Sequence, residues 1–379
     1  MLLSACPHRP PCDACPRYGA SGIAGAAWHT LQQLARDHGL PEIAVHSGAL
    51  LGFRHRARLA IRGRVGTPKI GLFEANTHRV VHIPNCRVQH PLINEVASIV
   101  RGALAQARVT CYSDRAHQGL ARYLQVVVER RSNTAQIVLV VNDTTMAPMA
   151  QCLELICQRL GVRLHSLWLN FNTQSNNVIL GPDFHHYWGP TSIIEEFGGA
   201  AVHYPPGAFG QSNLEVAHQI VGHIRDRTPP GAQVTEFYAG VGAIGLSLLE
   251  QVSRIRLNEV NPQSLAGLRQ GLAQLTAQQR GKVEVVPGAA GASAHAAQDS
   301  QLVIVDPPRK GLDPQLTQCL AAQPPQWLLY VSCGLASLLN DVNLLLAHGT
   351  LRLVELTAFN LLPFTEHVET VARFERVKS

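Results

Sequence analysis

Short apolar runs and amphipathic stretches alternate along the second half of the chain. The runs are short enough for buried strands, and the stretches between them have the length of helices. The predicted elements are strands at 233–238, 254–260, 282–286, 302–305 and 327–331 and helices at 243–251 and 262–279. Two later runs, 351–356 and 368–374, are joined by a short connection and predict an antiparallel hairpin. This order predicts an α/β domain with a doubly wound, largely parallel sheet.

Two polar segments follow the fourth and fifth predicted strands. An Asp-Pro-Pro-Arg turn at 306–309 follows one strand, and Ser-Cys-Gly at 332–334 follows the other. Loops at the carboxyl ends of parallel strands are where open α/β sheets bind ligands. Asp306 and Cys333 are therefore predicted to share one site, with the cysteine as a nucleophile. An ordinary buried strand cysteine is the alternative interpretation of Cys333.

A glycine-rich turn lies between the first strand and its helix. Residues 240–245 read Gly-Val-Gly-Ala-Ile-Gly, and Glu259 ends the second strand. The glycines let a cofactor approach the backbone, and a carboxylate at this distance accepts hydrogen bonds from ribose hydroxyls. Dinucleotide oxidoreductases and S-adenosylmethionine (SAM) methyltransferases both use such a turn. The C-terminal hairpin is usual in SAM methyltransferases, and a hydride-transfer enzyme would need neither Cys333 nor the Asp-Pro-Pro-Arg turn, so a methyltransferase is favoured.

The length of 379 residues predicts two or three domains. The sequence contains no apolar run long enough to span a bilayer and does not begin with a charged, then apolar leader, so neither export nor membrane insertion is expected. We expect a cytoplasmic protein. In a reducing compartment its nine cysteines are not expected to form a disulfide framework.

Positive charge is concentrated in the N-terminal half. Residues 1–200 hold 19 Lys and Arg against 12 Asp and Glu, a net charge of +7, whereas residues 201–379 have a net charge of −1. In the densest part, 53–64, basic and apolar positions partly alternate, which predicts a strand with one buried and one exposed face. A strand face that contacts only solvent is one interpretation. The other is a nucleic-acid contact made by Arg54, Arg56, Arg58, Arg62 and Arg64.

Three cysteines lie close together near residue 1. Cys6, Cys12 and Cys15 occur in a segment with proline and little apolar content, which is expected to need a metal centre to become ordered. Cys86, in a Pro-containing turn, is the best candidate for a fourth ligand, because the other cysteines have apolar or helical contexts. The spacing alone leaves an iron–sulfur cluster and structural zinc open, with no metal as a third alternative.

Five segments, in order, resemble the motifs of the RNA uracil-5-methyltransferase family. They are residues 209–213, 236–242, 306–309, 332–334 and 367–370. The clustered cysteines and the arginine-rich segment resemble the iron–sulfur members of the family, so the resemblance covers nearly the whole chain. The chain departs from many relatives at Glu236, where they have Asp, and at residues 13–14, where they have Gly-Gly. Neither departure removes a candidate ligand or catalytic group.

The resemblance implies an enzyme that methylates C5 of uracil in RNA with SAM. A thiolate that adds to uracil C6 makes C5 nucleophilic, and Cys333 is predicted to supply it, with a pKa lowered by the N-terminus of the following helix. Glu369 matches the base that removes the C5 proton. By resemblance, the SAM contacts are Gln211, Tyr238, Glu259 and Asp306, and the ligands of a [4Fe-4S] cluster are Cys6, Cys12, Cys15 and Cys86.

The resemblance also implies three segments: an iron–sulfur segment at 1–18, an α+β RNA-binding domain at 19–204 and a methyltransferase domain at 205–379. With its cysteines so near residue 1 and no oligonucleotide-binding barrel before them, the sequence resembles the short bacterial enzymes that make 5-methyluridine in 23S rRNA. tRNA is the alternative substrate, because some archaeal tRNA enzymes of the family keep the cluster. No membrane contact and no obligate protein partner are implied.

Two other classes of function are disfavoured. A non-catalytic RNA-binding protein would not need Cys333, Glu369 and Asp306 together. Amino-methylating enzymes also place Asp-Pro-Pro after this strand, but usually with an aromatic residue where this chain has Arg309. Arg309 and Lys310 are assigned to the turn or to phosphate contacts.

Overall fold

The chain, in a computed structural model, is described for residues 4–377 and forms two compact units. Residues 20–48 belong to the second unit, not to the region predicted as the central domain. Residues 1–3 and 378–379 of the first and last predicted segments lie outside the described residues. The first unit comprises Met1–Gly19, Ala49–Glu195 and Tyr204–Leu214, and the second comprises Ala20–Gly48, Glu196–His203 and Glu215–Ser379.

Regular secondary structure occupies most of both units. The strands are β1 (Ala44–His46), β2 (Arg56–Arg64), β3 (Thr67–Phe73), β4 (Val80–His82), β5 (Ala121–Glu129), β6 (Thr134–Val141), β7 (Leu164–Phe171), β8 (Asp183–Trp188), β9 (Ile193–Phe197), β10 (Ala200–Tyr204), β11 (Gln233–Phe237), β12 (Arg254–Glu259), β13 (Val283–Pro287), β14 (Leu302–Val305), β15 (Trp327–Ser332), β16 (Leu351–Phe359) and β17 (Glu369–Arg376). The helices are α1 (Gly25–Asp37), α2 (Pro91–Gln106), α3 (Ala150–Leu160), α4 (Leu214–Asp226), α5 (Pro262–Ala273), α6 (Ala277–Arg280), α7 (Pro314–Ala322) and α8 (Leu335–Leu346). Between residues 4 and 377, no helix combines the length and hydropathy that crossing a membrane requires.

The second unit contains an eight-stranded sheet with the strand order β13-β12-β11-β14-β15-β17-β16-β1. The first five strands are parallel, β17 runs antiparallel between β15 and β16, and β1 lies parallel to β16 at the edge. All four residues of β14 are buried. Helices α1, α7 and α8 contribute Leu31, Leu316 and Leu338 to the core. The predicted doubly wound α/β sheet with a C-terminal antiparallel hairpin is confirmed.

Two predicted helices of this unit differ from the structure. The segment at 243–251 contains only a short 3₁₀ helix, Gly245–Leu248. The Ser247 hydroxyl donates a hydrogen bond to the carbonyl of Ile244 (2.6 Å), which competes with α-helical hydrogen bonding. The stretch at 262–279 is divided between α5 and α6, because Thr276 and Gln279 form a capping box that begins a new helix.

The first unit contains a seven-stranded sheet with the order β4-β3-β2-β5-β6-β7-β8. Neighbouring strands are antiparallel except β6 and β7. Helices α2 and α3 contribute Val96, Val100 and Ile156 to a core against one face of this sheet. The unit therefore has the α+β composition predicted for the region before the methyltransferase domain.

The arginine-rich strand β2 alternates less regularly than the sequence indicates. Arg58 and Arg64 are exposed, but residues 59–62 are all buried. Arg62 is 7% exposed and donates two hydrogen bonds to Asp114, of 2.6 and 2.7 Å. The prediction that Arg62 contacts RNA phosphate from the solvent face is therefore wrong. A neighbouring carboxylate on a separate loop satisfies its charge, and no strand pattern reveals such a partner.

Candidate active site

Five predicted site residues lie at one edge of the sheet in the second unit. Phe237 of β11 pairs with Asn258 of β12 and with Val305 of β14, so these parallel strands end together. β17 begins at the same edge, where its Thr370 pairs with Ser332 of β15. The residues that end, follow or begin these strands there are Tyr238, Glu259, Asp306, Cys333 and Glu369.

Cys333 lies half-buried between β15 and α8. Burial raises the pKa of its thiol, and the carboxyl groups of Glu369 and Asp306 raise this pKa further. The guanidinium of Arg309 lowers it. The predicted lowering of the Cys333 pKa by the helix N-terminus is therefore wrong. Burial and the two carboxyl groups outweigh the guanidinium of Arg309 and the backbone hydrogen bond, which lower this pKa.

Asp306 is a half-buried acid, and Glu369 is a buried one. Burial raises the pKa of Asp306 to about 7. Glu369 is 4% exposed, and its Oε1 has no hydrogen-bond partner among residues 4–377. Burial and the Asp306 carboxyl raise the pKa of Glu369 well above its usual range. This cluster therefore holds protons near neutral pH, and a cation bound beside it would favour their release.

Arg309 is a cation that changes the pKa values of this cluster. This effect was not predicted from the sequence. Its guanidinium lowers the pKa of both Cys333 and Glu369. A Cβ on Gly334 would lie 3.2 Å from the Arg309 carbonyl oxygen, so the two loops pack closely. The signal was present in the sequence, since Arg309 follows the same strand end as Asp306.

The glycine-rich turn fits a ribose. Gly240 has a φ of +58°, and a Cβ there would meet no atom of residues 4–377 within 4 Å, so the space beside the backbone is open. Glu259 accepts hydrogen bonds from the backbone N–H groups of Gly240 at Oε2 (2.7 Å) and of Val260 and Asn261 at Oε1 (2.8 and 2.6 Å). A carboxylate oxygen has about two acceptor positions, so Oε2 can also accept from a hydroxyl.

Two side chains, the half-buried Tyr238 and the buried Asp341, fix the loop that follows Asp306. The Tyr238 hydroxyl accepts a hydrogen bond from the N–H of Asp313 (3.0 Å). Asp341 of α8 accepts from the N–H of Leu312 (2.8 Å) and from the hydroxyl of Tyr330 (2.7 Å). Asp341 thus ties the loop after Asp306 to the helix after Cys333. Asp341 is not among the residues predicted from the sequence, although an acid inside the apolar pattern of a helix is a usable signal.

Gln211 belongs to the first unit. There it lines a small cavity together with Arg56, Tyr204 and Gly210. Its predicted contact with SAM stays a prediction.

The four predicted metal-ligand cysteines line one cavity of the first unit, with a volume of about 70 Å³. Burial raises the pKa of Cys15 to about 11, and the thiols of Cys86, Cys12 and Cys6 raise it as well. In residues 4–377 no group of three or more His, Cys, Asp and Glu side chains is arranged to hold one metal ion. Four thiols that line one cavity are the type of donor that an iron–sulfur cluster needs, although their side chains are not arranged around one metal position.

Known proteins resemble this chain in sequence and in fold. Residues 293–377 match the model of the tRNA (uracil-5-)-methyltransferase family. An uncharacterized RNA methyltransferase of Protochlamydia amoebophila is 33% identical over 378 residues, which are 98% of this chain and 97% of that protein. Another, from Geobacter sulfurreducens, is 29% identical over 98% of this chain and 77% of its own. The crystal structure of the Pyrococcus abyssi tRNA (uracil-54, C5)-methyltransferase in complex with S-adenosyl-L-homocysteine matches with a TM-score of 0.78 and 21% identity, over 95% of this chain and 85% of that chain.

The sheet order and the residues at its carboxyl edge define an α/β methyltransferase. The match to the Protochlamydia relative covers both chains almost completely, and the family model matches the part of this chain that contains Cys333 and Glu369. The chain belongs to the RNA (uracil-5-)-methyltransferase family, as the motifs predict.

Proposed function

We propose that this protein transfers a methyl group from SAM to C5 of a uridine in RNA. The observation that carries the proposal is the grouping of Cys333 with Asp306, Glu369 and Arg309 at one strand edge. It supplies a nucleophile for uracil C6 and an acid–base group for the C5 proton. The base must leave its stack to expose both carbons, so an unpaired loop nucleotide is favoured.

The reaction begins at Cys333. Its thiolate forms a C–S bond at uracil C6, and the electron pair of the 5,6 double bond moves away as an enolate, next to the positive charge of Arg309. C5 would then form a bond to the methyl carbon that SAM supplies, while the sulfonium C–S bond breaks and S-adenosyl-L-homocysteine leaves with that electron pair. The carboxylate of Glu369 removes the C5 proton, and the electron pair left behind re-forms the double bond and breaks the C–S bond. Cys333 is regenerated as a thiolate.

The candidate SAM contacts have separate tasks in this proposal. Glu259 would accept from the ribose hydroxyls beside the open space at Gly240, and Asp306 would contact SAM close to the uracil ring. Tyr238 would complete the binding surface of the second unit, and Gln211, a residue of the first unit, stays a predicted SAM contact. A cationic sulfonium near Asp306 favours the carboxylate forms of Asp306 and Glu369, so the base becomes active when both substrates are bound.

For the RNA substrate, we propose a hairpin-loop uridine of 23S rRNA. The net charge of +7 in residues 1–200 supports a polyanionic partner. Mass mapping of 5-methyluridine in rRNA and tRNA from a deletion strain tests this choice. Loss of one 5-methyluridine from 23S rRNA is the expected result. Loss from tRNA alone would overturn the rRNA choice while the chemistry stands.

tRNA is the second candidate. The family model that matches residues 293–377 is named for tRNA, and the enzyme with a TM-score of 0.78 to this chain acts on uracil-54 of tRNA. Purified protein should therefore be offered 23S fragments and tRNA transcripts side by side, with labelled SAM. Labelling of the tRNA only would favour this second candidate.

We further propose that Cys6, Cys12, Cys15 and Cys86 hold a [4Fe-4S] cluster. Protein purified without oxygen is expected to be brown, with broad visible absorbance and about four iron and four sulfide per chain. Cys86→Ser should lose this absorbance, whereas Cys111→Ser, a change at a cysteine outside the cavity, should keep it. A colourless protein with one bound zinc would contradict the cluster in favour of the zinc alternative.

The exposed arginines of β2 give a prediction about RNA affinity. Replacing Arg58 and Arg64 with glutamine should weaken RNA binding at low salt. The slope of the logarithm of the RNA association constant against the logarithm of the salt concentration should become less steep by about 0.7–0.9 for each RNA phosphate that the variant no longer neutralises. SAM affinity should not change. The matched control replaces Arg254 and Arg269 of the second unit, and a slope reduced equally by both pairs would contradict a specific role for β2.

A further inference from the structure

A groove of about 520 Å³ in the first unit has no role in the proposed methyl transfer. Its volume lies within the range of about 300–1,000 Å³ that is typical of ligand sites. It is formed by the loop after β3, the segment before β5, the start of β5 and the segment after β7. The residues that line it combine aromatic rings, a buried cation and short polar side chains.

Three aromatic rings of the groove are fixed in place by one buried cation. The Cζ atom of Arg62 lies 5.2 Å from the ring centroid of Phe73, 5.3 Å from that of Tyr112 and 5.1 Å from that of Tyr123. Arg62 is itself held by Asp114. Phe73 is 37% exposed. A ring held on one side and exposed on another offers a nucleobase a surface for stacking.

Arg122 gives the groove a positive charge. It is 2% exposed and donates hydrogen bonds to the carbonyl oxygens of Asn172 (2.5 Å) and Gln174 (2.8 Å). Its Nε is buried and has no hydrogen-bond partner among residues 4–377. The two lining acids are paired with other arginines, Asp114 with Arg62 and Glu74 with Arg79 (3.2 Å). A buried guanidinium with neutral partners and an unused N–H favours an oxygen of a negatively charged ligand.

Short polar side chains complete the groove. Asn176 accepts a hydrogen bond from the N–H of Val178 (2.9 Å), which leaves its amide NH₂ group for a ligand. His78 and His117 are exposed and line the same space. Amide and imidazole groups of this kind bind the edges of unstacked bases.

We propose that this groove binds a second, non-reacting nucleotide of the RNA substrate. The base stacks on Phe73, its edge contacts Asn176, and an oxygen of the nucleotide accepts a hydrogen bond from Arg122. The proposal rests on the proposed RNA methyltransferase function, and it adds a specificity determinant: the substrate must present two unstacked nucleotides. An RNA with only the target uridine unpaired would then bind weakly.

The test measures RNA binding without SAM, so that it does not depend on methyl transfer. Hairpin RNAs carry 2-aminopurine at each position near the target uridine in turn, since stacking quenches its fluorescence. Phe73→Ala should lose the quenching at one position and weaken binding about 5- to 150-fold, the effect of losing one base–aromatic stack. Phe73→Tyr should restore both. SAM affinity should be the same in all variants.

A second variant avoids the aromatic cluster. Ala75 is exposed and lines the groove, so Ala75→Glu adds a carboxylate and bulk without disturbing a packed residue. It should weaken RNA binding by no less than the loss of one base–aromatic stacking contact does. The matched control is Val162→Glu, at a residue that is 91% exposed and precedes β7, whereas the groove follows that strand. The control adds the same charge and should leave affinity within about twofold of wild type, a change of under half a kcal/mol.

The outcomes separate the two proposals. Wild-type RNA affinity and quenching in both Phe73→Ala and Ala75→Glu would overturn the groove proposal, even if the protein methylates uridine. Tight binding of AMP or UMP alone, with RNA affinity unchanged in the variants, would overturn it in favour of a site for free nucleotides. Position-specific quenching in a protein that transfers no methyl group would support nucleotide binding in the groove and contradict the proposed methyl transfer.

Discussion

Replacing Cys333 with alanine is expected to abolish RNA methylation while SAM binding persists. Uracil C5 is a poor nucleophile until a thiolate adds to C6, so the alanine variant lacks the first step of the reaction. Transfer of labelled methyl groups to RNA should fall to the assay background. An RNA with 5-fluorouridine at the target, in which a fluorine that no base can remove replaces the C5 proton, should form a denaturation-resistant adduct with wild type and none with the variant.

Cys319→Ala is the matched control for this change. Cys319 is another half-buried cysteine of the second unit, in α7, where its thiol donates to the carbonyl of Ala294 (3.3 Å). Its alanine variant should methylate RNA and form the adduct as wild type does. Turnover by Cys333→Ala at the wild-type rate would refute the assignment of the nucleophile.

The pH dependence of adduct formation follows from the surroundings of Cys333. Burial and two carboxyl groups raise the pKa of the thiol, so the thiolate is a minor form at neutral pH. The rate of adduct formation with 5-fluorouridine RNA should therefore rise with pH through and beyond neutrality. Arg309→Gln removes the charge that lowers this pKa and should move the rise to higher pH, whereas Arg309→Lys should keep it near the wild-type position.

The sheet and the position of its site were predictable from the sequence. β14 and β15 are short, apolar and followed at once by polar motifs, and strands of this kind in an alternating order have few arrangements. Their parallel pairing brings Asp306 and Cys333 to one edge. Glu369 joined them only because the final strand is antiparallel, which the hairpin pattern indicated.

The electrostatics of the site were not predictable in the same way. The helix after Cys333 could be read from its local sequence, but Glu369, whose carboxyl raises the thiol pKa, comes from a strand far along the chain. Glu236 shows the same limit. It is 1% exposed, burial and the carboxyl of Asp306 raise its pKa, and its Oε2 has no partner among residues 4–377. A strand pattern places such an acid on a face but does not show which charges surround it.

The predictions of burial on β2 and of helix boundaries were wrong for related reasons. Arg62 pairs with Asp114 and lies among three rings, a neighbourhood assembled from separate loops. At 243–251 the predicted helix does not form along its whole length. The hydrogen bond from the Ser247 hydroxyl to the Ile244 carbonyl competes with helical hydrogen bonding, and the apolar pattern of the sequence does not reveal so local a contact.

Replacing Glu369 with glutamine is expected to stop the reaction after methyl transfer. The amide cannot accept the C5 proton, so elimination should slow by about 10²–10⁴-fold, the usual contribution of a general base. A protein–RNA complex that carries the labelled methyl group should accumulate and survive denaturation. Glu366→Gln, at an exposed acid just before β17, is the matched control and should release product normally. Normal release by Glu369→Gln would require a different base.

The stability of the same variant distinguishes a base from a merely structural acid. Because the folded protein binds the Glu369 proton more tightly than the unfolded chain, the contribution of Glu369 to the free energy of unfolding should fall as pH rises above about 4.3, the usual pKa of Glu. The amide does not titrate, so Glu369→Gln should be more stable than wild type at pH 8 and about equal to it at pH 4 in thermal melting without SAM or RNA. A gain in stability that accompanies the loss of product release would mean that the carboxyl is kept at a cost to the fold, as expected of a catalytic group. A variant less stable than wild type at pH 8 would instead assign Glu369 a structural role.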